Sequence, residues 1–247
     1  MPDEVFERWI RRFHPAPEAR VRLVCLPHAG GGGFFSLSAA LAPSIEVWSV
    51  KYPGRQDRRH EPLIPDIGRL AAELAGVLDG RLEGPWALLG HSMGAVVAFE
   101  TARLLPGALC LIASGRRAPS THRDERVHLR DDQGIADELR LLSGTDPAFI
   151  GEPELFQMIL PVLRADYRAV ETYEAGREAV VDCPITAFVG DDDPKTTIEE
   201  ARAWRRHTSA TFGLRIFPGG HFFLDDRRAE VAAALSGILL DRPVKRP

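Results

Sequence analysis

The chain has 247 residues, of which 45% are hydrophobic and 27% charged, and its formal net charge at pH 7 is −4. This length and composition are typical of one globular domain with a sizeable core and do not indicate a disordered chain. The slightly acidic balance argues against a general nucleic-acid-binding protein, which needs a basic surface.

Strand-like and helical patterns alternate along most of the chain. Apolar runs predict strands at residues 21–26, 45–50, 86–89, 108–113, 185–189 and 214–217. Apolar residues at helical spacing predict helices at residues 5–13, 67–78, 95–99, 198–207 and 227–240. Asp66 is placed to cap the second of these helices. The alternation predicts an α/β fold with a mostly parallel central sheet and helices on both faces.

The stretch from about residue 116 to 181 has helical patterns at residues 134–142 and 154–173, and no strand-like run. Pro161 is expected to break or kink the second helix. Because the strand–helix alternation resumes at Ile185, we predict a single domain over residues 1–247, with about 116–181 inserted as a helical lid. Two independent domains joined near Arg117 are the less favoured alternative.

The cysteines Cys25, Cys110 and Cys183 lie far apart inside apolar runs. Their odd number and the absence of a CxxC pair predict core residues in a reducing compartment. The residues after Met1 lack the apolar stretch of a signal peptide, and no apolar run approaches the about 18 residues that a membrane span needs. We therefore expect a cytoplasmic protein that does not enter a membrane.

A G-x-S-x-G pattern at Gly90–Gly94 joins the strand-like run 86–89 to an apolar helix. Between a strand and a helix, this pattern predicts a nucleophile elbow, a sharp turn in which the Ser92 side chain projects away from the sheet. Only glycine is expected to fit on either side, because strand and helix approach closely there. An ordinary glycine-flanked serine in a turn is the alternative.

A serine nucleophile needs a base, and His221 follows the last predicted strand in a glycine-containing loop. Of the three aspartates after strand 185–189, one is expected to orient this histidine, in the chain order Ser, Asp, His. We choose Asp193, because it has cleared the turn after Gly190. Asp191 and Asp192 stay open as alternatives and are otherwise solvated turn residues.

Backbone N–H groups of Ala29 and Met93 are predicted to bind the oxyanion, since Met93 follows the serine and Ala29 lies in the glycine-rich loop 27–33. That loop lacks the residues of a phosphate-binding motif. His28 is expected to brace it. No cluster of His, Cys and Asp has metal-ligand spacing, so we predict no metal site.

Several segments together resemble type II thioesterases, the stand-alone editing hydrolases of polyketide synthases and nonribosomal peptide synthetases. They are Leu26–Gly31, Tyr52–Arg55, Gly90–Gly94 and Gly219–Phe223, with Gly144–Pro147 and Leu163–Tyr167 in the presumed lid. The resemblance runs from about Trp9 to Leu240. It implies an α/β-hydrolase that removes aberrant or stalled acyl groups from the phosphopantetheine arm of carrier proteins. No cofactor is implied, because the phosphopantetheine belongs to the substrate.

Three other functions stay open. A carboxylesterase or lipase would use the same triad on oxygen esters, and a medium-chain fatty-acyl thioesterase would release a product rather than edit. An inactive hydrolase fold that serves as a binding module is disfavoured, because all three triad candidates are present.

The remaining expectations concern polar residues around the cleft. The lid is expected to gate an acyl chamber. An arginine rim near Arg55, Arg58, Arg59 or Arg117 is expected to meet an acidic carrier protein, although a plain solvated loop after Gly54 is equally consistent with the sequence. Asp166 and Tyr167 are packing residues or substrate contacts, and Trp204 lies on an ordinary amphipathic helix. We expect a monomer.

Overall fold

The computed structural model describes residues 2–142, 152–176 and 178–241. Within these ranges, seven strands form one sheet in the order β1-β3-β2-β4-β5-β6-β7. The strands are β1 (Ile10–Arg11), β2 (Val21–Leu26), β3 (Ile45–Val50), β4 (Trp86–His91), β5 (Leu111–Ser114), β6 (Ile185–Gly190) and β7 (Phe212–Phe217). All neighbours pair in parallel except β1, which is antiparallel to β3. The predicted α/β fold with a mostly parallel sheet is confirmed.

Helices cover both faces of this sheet. They are α1 (Pro2–Trp9), α2 (Phe35–Leu41), α3 (Ile67–Leu78), α4 (Met93–Leu104), α5 (Asp132–Leu142), α6 (Pro153–Glu171), α7 (Ile198–Arg202), α8 (Phe223–Asp226) and α9 (Arg228–Leu240). Short 3₁₀ turns occur at Gln56–Arg58, Val127–Leu129 and Ala203–His207. As predicted, Asp66 caps α3, because its carboxylate accepts a hydrogen bond from the Arg69 N–H at 2.7 Å.

The alternation of side chains along β2 explains why its sequence is apolar throughout. Val24 and Leu26 pack into the core on the face covered by α3 and α4, whereas Leu23 and Cys25 pack on the face covered by α2 and α9. Successive strand residues point to opposite faces, so a strand covered on both sides needs apolar residues at every position. All three cysteines are buried, as predicted.

Some predicted boundaries were wrong. The helix expected at residues 5–13 ends at Trp9, because Ile10 pairs with Val50 in the sheet. The strand expected at residues 108–113 lies at Leu111–Ser114. The helix expected at 198–207 tightens to a 3₁₀ turn after Arg202, and Trp204 there is fully buried rather than on an amphipathic surface.

The segment between β5 and β6 contains α5 and α6 and, in its described part, no strand. Pro161 was expected to break or kink the second of these helices. Helix α6 is continuous through Pro161, so the expected break is wrong. Apolar side chains of α5 and α6 form a cluster of their own, with Ile135, Leu139, Leu160 and Leu163 among its members. The motif Gly144–Pro147 lies outside the described residues.

No helix among the described residues has both the length and the apolar character that crossing a membrane requires.

Candidate active site

Ser92 lies at the turn between β4 and α4, at the carboxyl edge of the sheet. Its backbone has φ +54° and ψ −118°, a conformation that a residue with a side chain rarely adopts. The turn is held by a hydrogen bond of 2.8 Å from the Ser92 N–H to the Ser114 carbonyl. The Ser92 side chain is partly exposed and lines a cavity. This strained backbone presents the hydroxyl away from the sheet.

The two glycines of the elbow are required by close packing. A Cβ on Gly90 would overlap the backbone of Gly94, and a Cβ on Gly94 would overlap the carbonyl of Leu26 on β2. Because both obstacles are backbone atoms, a rotamer change cannot relieve either overlap. The predicted reason for glycine on both sides of Ser92 is therefore confirmed.

His221 is brought against Asp193 by the loops that follow β7 and β6. The His221 Nδ1 atom lies 3.0 Å from both carboxylate oxygens of Asp193, and both side chains are buried. Asp193 also accepts a hydrogen bond of 2.8 Å from the Lys195 N–H. The imidazole ring lies 5.1 Å from the ring of His91, the residue before Ser92. His221 and Ser92 line the same cavity.

The other two aspartates of the run have different surroundings. Asp191 and Asp192 are exposed. The Asp191 carboxylate accepts a hydrogen bond of 2.9 Å from the Gly219 N–H, and so ties the loop after β6 to the loop that carries His221. The structure thus brings Asp193 to the imidazole and leaves its two neighbours in the turn.

Two backbone segments meet beside Ser92. Met93 is the first residue of α4, so its N–H has no acceptor four residues earlier in the helix. Ala29 lies in the loop after β2 and lines the cavity with Ser92. The His28 Nδ1 atom lies 2.9 Å from the Ala29 carbonyl, and the Gly31 N–H donates to the His28 carbonyl at 2.9 Å. His28 therefore braces this loop, as predicted.

Burial keeps the two histidines around His221 neutral. It lowers the pKa of His28 to about 4 and the pKa of His91 well below its ordinary value, with smaller contributions from neighbouring cationic groups. The His91 Nδ1 atom lies 3.0 Å from the Ser114 hydroxyl, so this ring is held under the elbow. Neither ring carries a positive charge at neutral pH that would compete with a protonated His221.

Asp166 of α6 reaches the loop that carries Ala29. Its carboxylate accepts a hydrogen bond of 2.8 Å from the Gly30 N–H and pairs with the guanidinium of Arg55. Both side chains are buried. Burial raises the pKa of Asp166, although Arg55 and the Gly30 N–H oppose the rise. This ion pair connects the Tyr52–Arg55 and Leu163–Tyr167 motifs with the loop after β2. Neither Asp166 nor Arg55 is exposed on the surface.

The expectation of an exposed arginine rim was wrong for three of the four arginines. Arg55, Arg58 and Arg117 are buried, and only Arg59 of the set is exposed. Arg58 donates to the Lys51 carbonyl and to Glu61, and Arg117 pairs with Glu125. These arginines stabilise loops from within, because a buried guanidinium needs a carboxylate or carbonyl partner. Their polarity in the sequence gave no sign of this burial.

The cavity beside Ser92 has a volume of about 390 Å³. Most of its apolar wall comes from the inserted helices, through Leu139, Leu142, Ile159, Leu163, Tyr167 and Val170, and Phe222 and Ala29 also line it. A polar part is formed by Arg116, Glu125, Glu171 and Lys195. The sequence analysis missed these four residues. They belong to no local motif, and folding brings them together from positions up to 79 residues apart in the chain.

The described part of the chain holds no group of three or more His, Cys, Asp or Glu side chains that is arranged to bind a metal ion. The model of the thioesterase domain family matches residues 21–239. The chain belongs to this family. It is a thioesterase, and the resemblance noted in the sequence is confirmed.

Solved and curated relatives of this thioesterase agree with the assignment. A probable cadicidin biosynthesis thioesterase of Streptomyces griseus is 51% identical, over 94% of this chain and 67% of the relative. Thioesterase PikA5 of Streptomyces venezuelae is 50% identical, over 94% of this chain and 85% of the relative. The structure of BorB, a type II thioesterase from the borrelidin biosynthetic cluster, superposes with a TM-score of 0.86 and is 46% identical in sequence. The match includes 94% of this chain and 97% of the BorB chain.

Proposed function

We propose that this thioesterase cleaves acyl thioesters through a Ser92–His221–Asp193 triad and an acyl-enzyme. The observation that carries the proposal is the buried contact of His221 Nδ1 with the Asp193 carboxylate at 3.0 Å, beside the strained elbow that presents Ser92. A carboxylate on Nδ1 leaves Nε2 as the basic nitrogen of a neutral imidazole.

The mechanism follows from these positions. His221 takes the proton of Ser92 as the hydroxyl oxygen attacks the thioester carbonyl carbon. The Asp193 carboxylate stabilises the imidazolium that forms. The N–H groups of Ala29 and Met93 bind the oxyanion of the tetrahedral intermediate. The intermediate then collapses, the C–S bond breaks, and the thiolate leaves with the proton from His221.

The second half-reaction regenerates the serine. Water gives a proton to His221 and attacks the acyl-enzyme carbonyl, and collapse of this intermediate releases the carboxylic acid and returns the proton to Ser92. A thiol has a pKa of about 8.5 and is a better leaving group than an alcohol. The chemistry uses side chains and backbone of this chain alone, with the phosphopantetheine arriving as part of the substrate.

The proposed substrate is an acyl group on the phosphopantetheine arm of a carrier protein in a polyketide or nonribosomal peptide synthase, and the proposed role is removal of aberrant or stalled groups. The relatives named for cadicidin biosynthesis and for the borrelidin biosynthetic cluster support this assignment. A cavity of about 390 Å³ lies within the usual size range of small-molecule sites, which supports a bound acyl chain in this chamber.

The triad is tested with a fluorophosphonate probe, which labels activated serines. We expect labelling of the wild type and none of Ser92→Ala, together with loss of acyl-pantetheine hydrolysis. Labelling of Ser92→Ala at the wild-type rate would reject Ser92 as the nucleophile. Replacing the thioester by the matched oxygen ester should lower kcat/KM, whereas a strong preference for the oxygen ester would favour an esterase.

The editing role is tested with a series of acyl carrier proteins that bear acetyl, propionyl, hexanoyl or dodecanoyl groups. An editing enzyme is expected to hydrolyse short groups such as acetyl and propionyl efficiently. A steep rise of kcat/KM toward the longest chain would instead favour release of a medium-chain product.

A further inference from the structure

Arg116 is fixed at the cavity wall by its backbone. It is the second residue after β5, at the same carboxyl edge of the sheet as Ser92. The buried Trp204 donates its indole N–H to the Arg116 carbonyl at 2.7 Å. The side chain therefore starts from a well-held main chain, and Arg116 lines the chamber that also contains Ser92.

The donors of this guanidinium are mostly unused. One Nη group donates to the Val170 carbonyl near the end of α6, at 3.3 Å. The Nε atom is buried and has no hydrogen-bond partner, and no carboxylate in the described ranges forms an ion pair with Arg116. Burial lowers the pKa of Arg116 to about 9, so the group still carries its charge at neutral pH. A buried donor without an acceptor is unfavourable unless a ligand supplies one.

Nearby arginines of the same segment have a carboxylate partner, which Arg116 lacks, although Arg117 also keeps buried nitrogens without a hydrogen bond. Arg117 pairs with Glu125, and Arg123 forms two hydrogen bonds with the carboxylate of Glu200.

The carboxylates nearest to Arg116 already have other hydrogen-bond partners. Glu125 binds Lys195 as well as Arg117, and Glu171 accepts hydrogen bonds from two backbone N–H groups and from His128. Among the described residues, Arg116 thus has no carboxylate at ion-pair distance, although Glu125, Glu171 and Glu200 lie near enough to favour its charge.

The charges around it decide which ligand fits. Arg116 and Lys195 line the chamber together with Glu125 and Glu171, so the formal charges of the four cancel. The chamber therefore gives an entering carboxylate no net attraction to offset the cost of removing its charge from water. A carbonyl or hydroxyl oxygen accepts hydrogen bonds without that cost.

We propose that Arg116 is a specificity-determining residue that donates hydrogen bonds to a neutral oxygen of the bound thioester. Two parts of the substrate carry such an oxygen, namely an oxo group on the acyl chain and an amide carbonyl of pantetheine. The chamber accordingly selects oxygenated substrates over plain alkyl thioesters of equal length. The inference rests on the proposed function, since it treats the chamber beside Ser92 as the substrate site.

The experiment compares kcat/KM for hexanoyl, 3-oxohexanoyl and 5-oxohexanoyl thioesters, each on ethanethiol and on pantetheine. The variants are Arg116→Met, which keeps the length and removes the donors, and Arg116→Lys, which keeps a charge and one donor group. Arg126→Met is the matched control, because Arg126 is exposed and pairs with Asp124 away from the chamber.

We expect the wild type to favour one oxo substrate over hexanoyl by about tenfold, the usual discrimination of a charged hydrogen bond. Arg116→Met should abolish that preference and retain hydrolysis of hexanoyl ethanethiol, with Arg116→Lys intermediate and Arg126→Met like the wild type. A preference for pantetheine over ethanethiol that Arg116→Met removes for every acyl group would assign the oxygen to pantetheine and equally support the subsite.

Other outcomes would overturn the proposal. Equal losses on all substrates in Arg116→Met would mean that the residue only holds the fold, as would a wild type with no preference. A wild-type preference for glutaryl over the oxo substrates would mean an anion site. Binding of the matching thioethers, measured by calorimetry, gives the same comparison without hydrolysis, so a failure of the Ser92 mechanism would leave this test intact.

Discussion

The carboxylate of Asp166, on helix α6 of the inserted segment, accepts a hydrogen bond from the backbone N–H of Gly30 at 2.8 Å. Gly30 follows Ala29, whose own N–H is proposed to bind the oxyanion. The side chain of Leu163, one turn earlier on α6, also lies directly against Gly30. The position of the inserted helix and the geometry of the oxyanion loop are therefore coupled through one buried carboxylate and one apolar contact.

Asp166→Asn is expected to lower kcat by about tenfold or more and to change KM by less than threefold. The amide no longer neutralises Arg55, so the loop relaxes, and a misplaced oxyanion donor costs mainly transition-state binding. Steady-state kinetics on acyl-pantetheine give the split. Affinity for a trifluoromethyl ketone analogue, which forms an oxyanion on Ser92, should fall in parallel with kcat.

The control for this prediction is Asp132→Asn. Like Asp166, Asp132 is a carboxylate of the inserted segment that pairs with an arginine, in this case Arg164. The Asp132 side chain, however, is 52% exposed. We expect wild-type kinetics, because exposed ion pairs contribute little. If folded Asp166→Asn kept the wild-type kcat, the hydrogen bond to Gly30 would have no role in the oxyanion geometry.

The run of three aspartates gives a second prediction. Asp193→Asn should lower kcat by about 10³-fold or more, because the amide cannot hold the imidazole in the tautomer that accepts the serine proton. Asp192→Asn should stay within about twofold of the wild type, since Asp192 is exposed. Asp191→Asn should also be mild, because an amide oxygen can still accept from the Gly219 N–H. Equal losses in Asp192→Asn and Asp193→Asn would rule out Asp193 as the specific acid.

Gly94→Ala should destabilise the fold by about 2 kcal/mol or more, because its Cβ overlaps the Leu26 carbonyl on β2 and strand and helix must separate. Gly76→Ala is the matched control, since Gly76 lies in α3 with open space around its Cβ position. That change should raise stability by about 0.5–1 kcal/mol through helix propensity. Urea unfolding measures both, and a Gly94→Ala variant as stable as the wild type would contradict the close approach inferred at the elbow.

Local sequence patterns predicted most of the sheet and the residues of the elbow, because an apolar run indicates a buried strand and the overlap of Gly90 with Gly94 arises within five residues. Local patterns also predicted helix α3 and its Asp66 cap. The predictions failed where distant residues decide the structure. Arg55 is buried because Asp166 lies opposite it, 111 positions away, and Ile10 leaves its helix to pair with Val50. The polar part of the chamber has no local signature at all, since Arg116, Glu125, Glu171 and Lys195 meet through tertiary structure alone.

Glu125 gives a prediction about stability at acid pH. Burial acts to raise its pKa, but hydrogen bonds from Lys195 and Arg117 outweigh burial and lower the pKa from 4.5 to about 2. The unfolded chain therefore binds this proton first as the pH falls, so the stabilisation from the carboxylate is complete above about pH 5 and is lost between about pH 4.5 and 2. Glu125→Gln lacks this titration and should be less stable than the wild type at pH 7.

The difference in unfolding free energy between the wild type and Glu125→Gln should accordingly stay constant from pH 7 to 5 and shrink steadily below pH 4.5. Urea unfolding at half-unit pH steps measures it. Glu199→Gln serves as the control, because the Glu199 side chain is 79% exposed and pairs only loosely with Arg202, and its difference from the wild type should stay small throughout. A Glu125→Gln difference as large at pH 3 as at pH 7 would mean that the carboxylate gains nothing from Lys195 and Arg117, since only its charge titrates over that range.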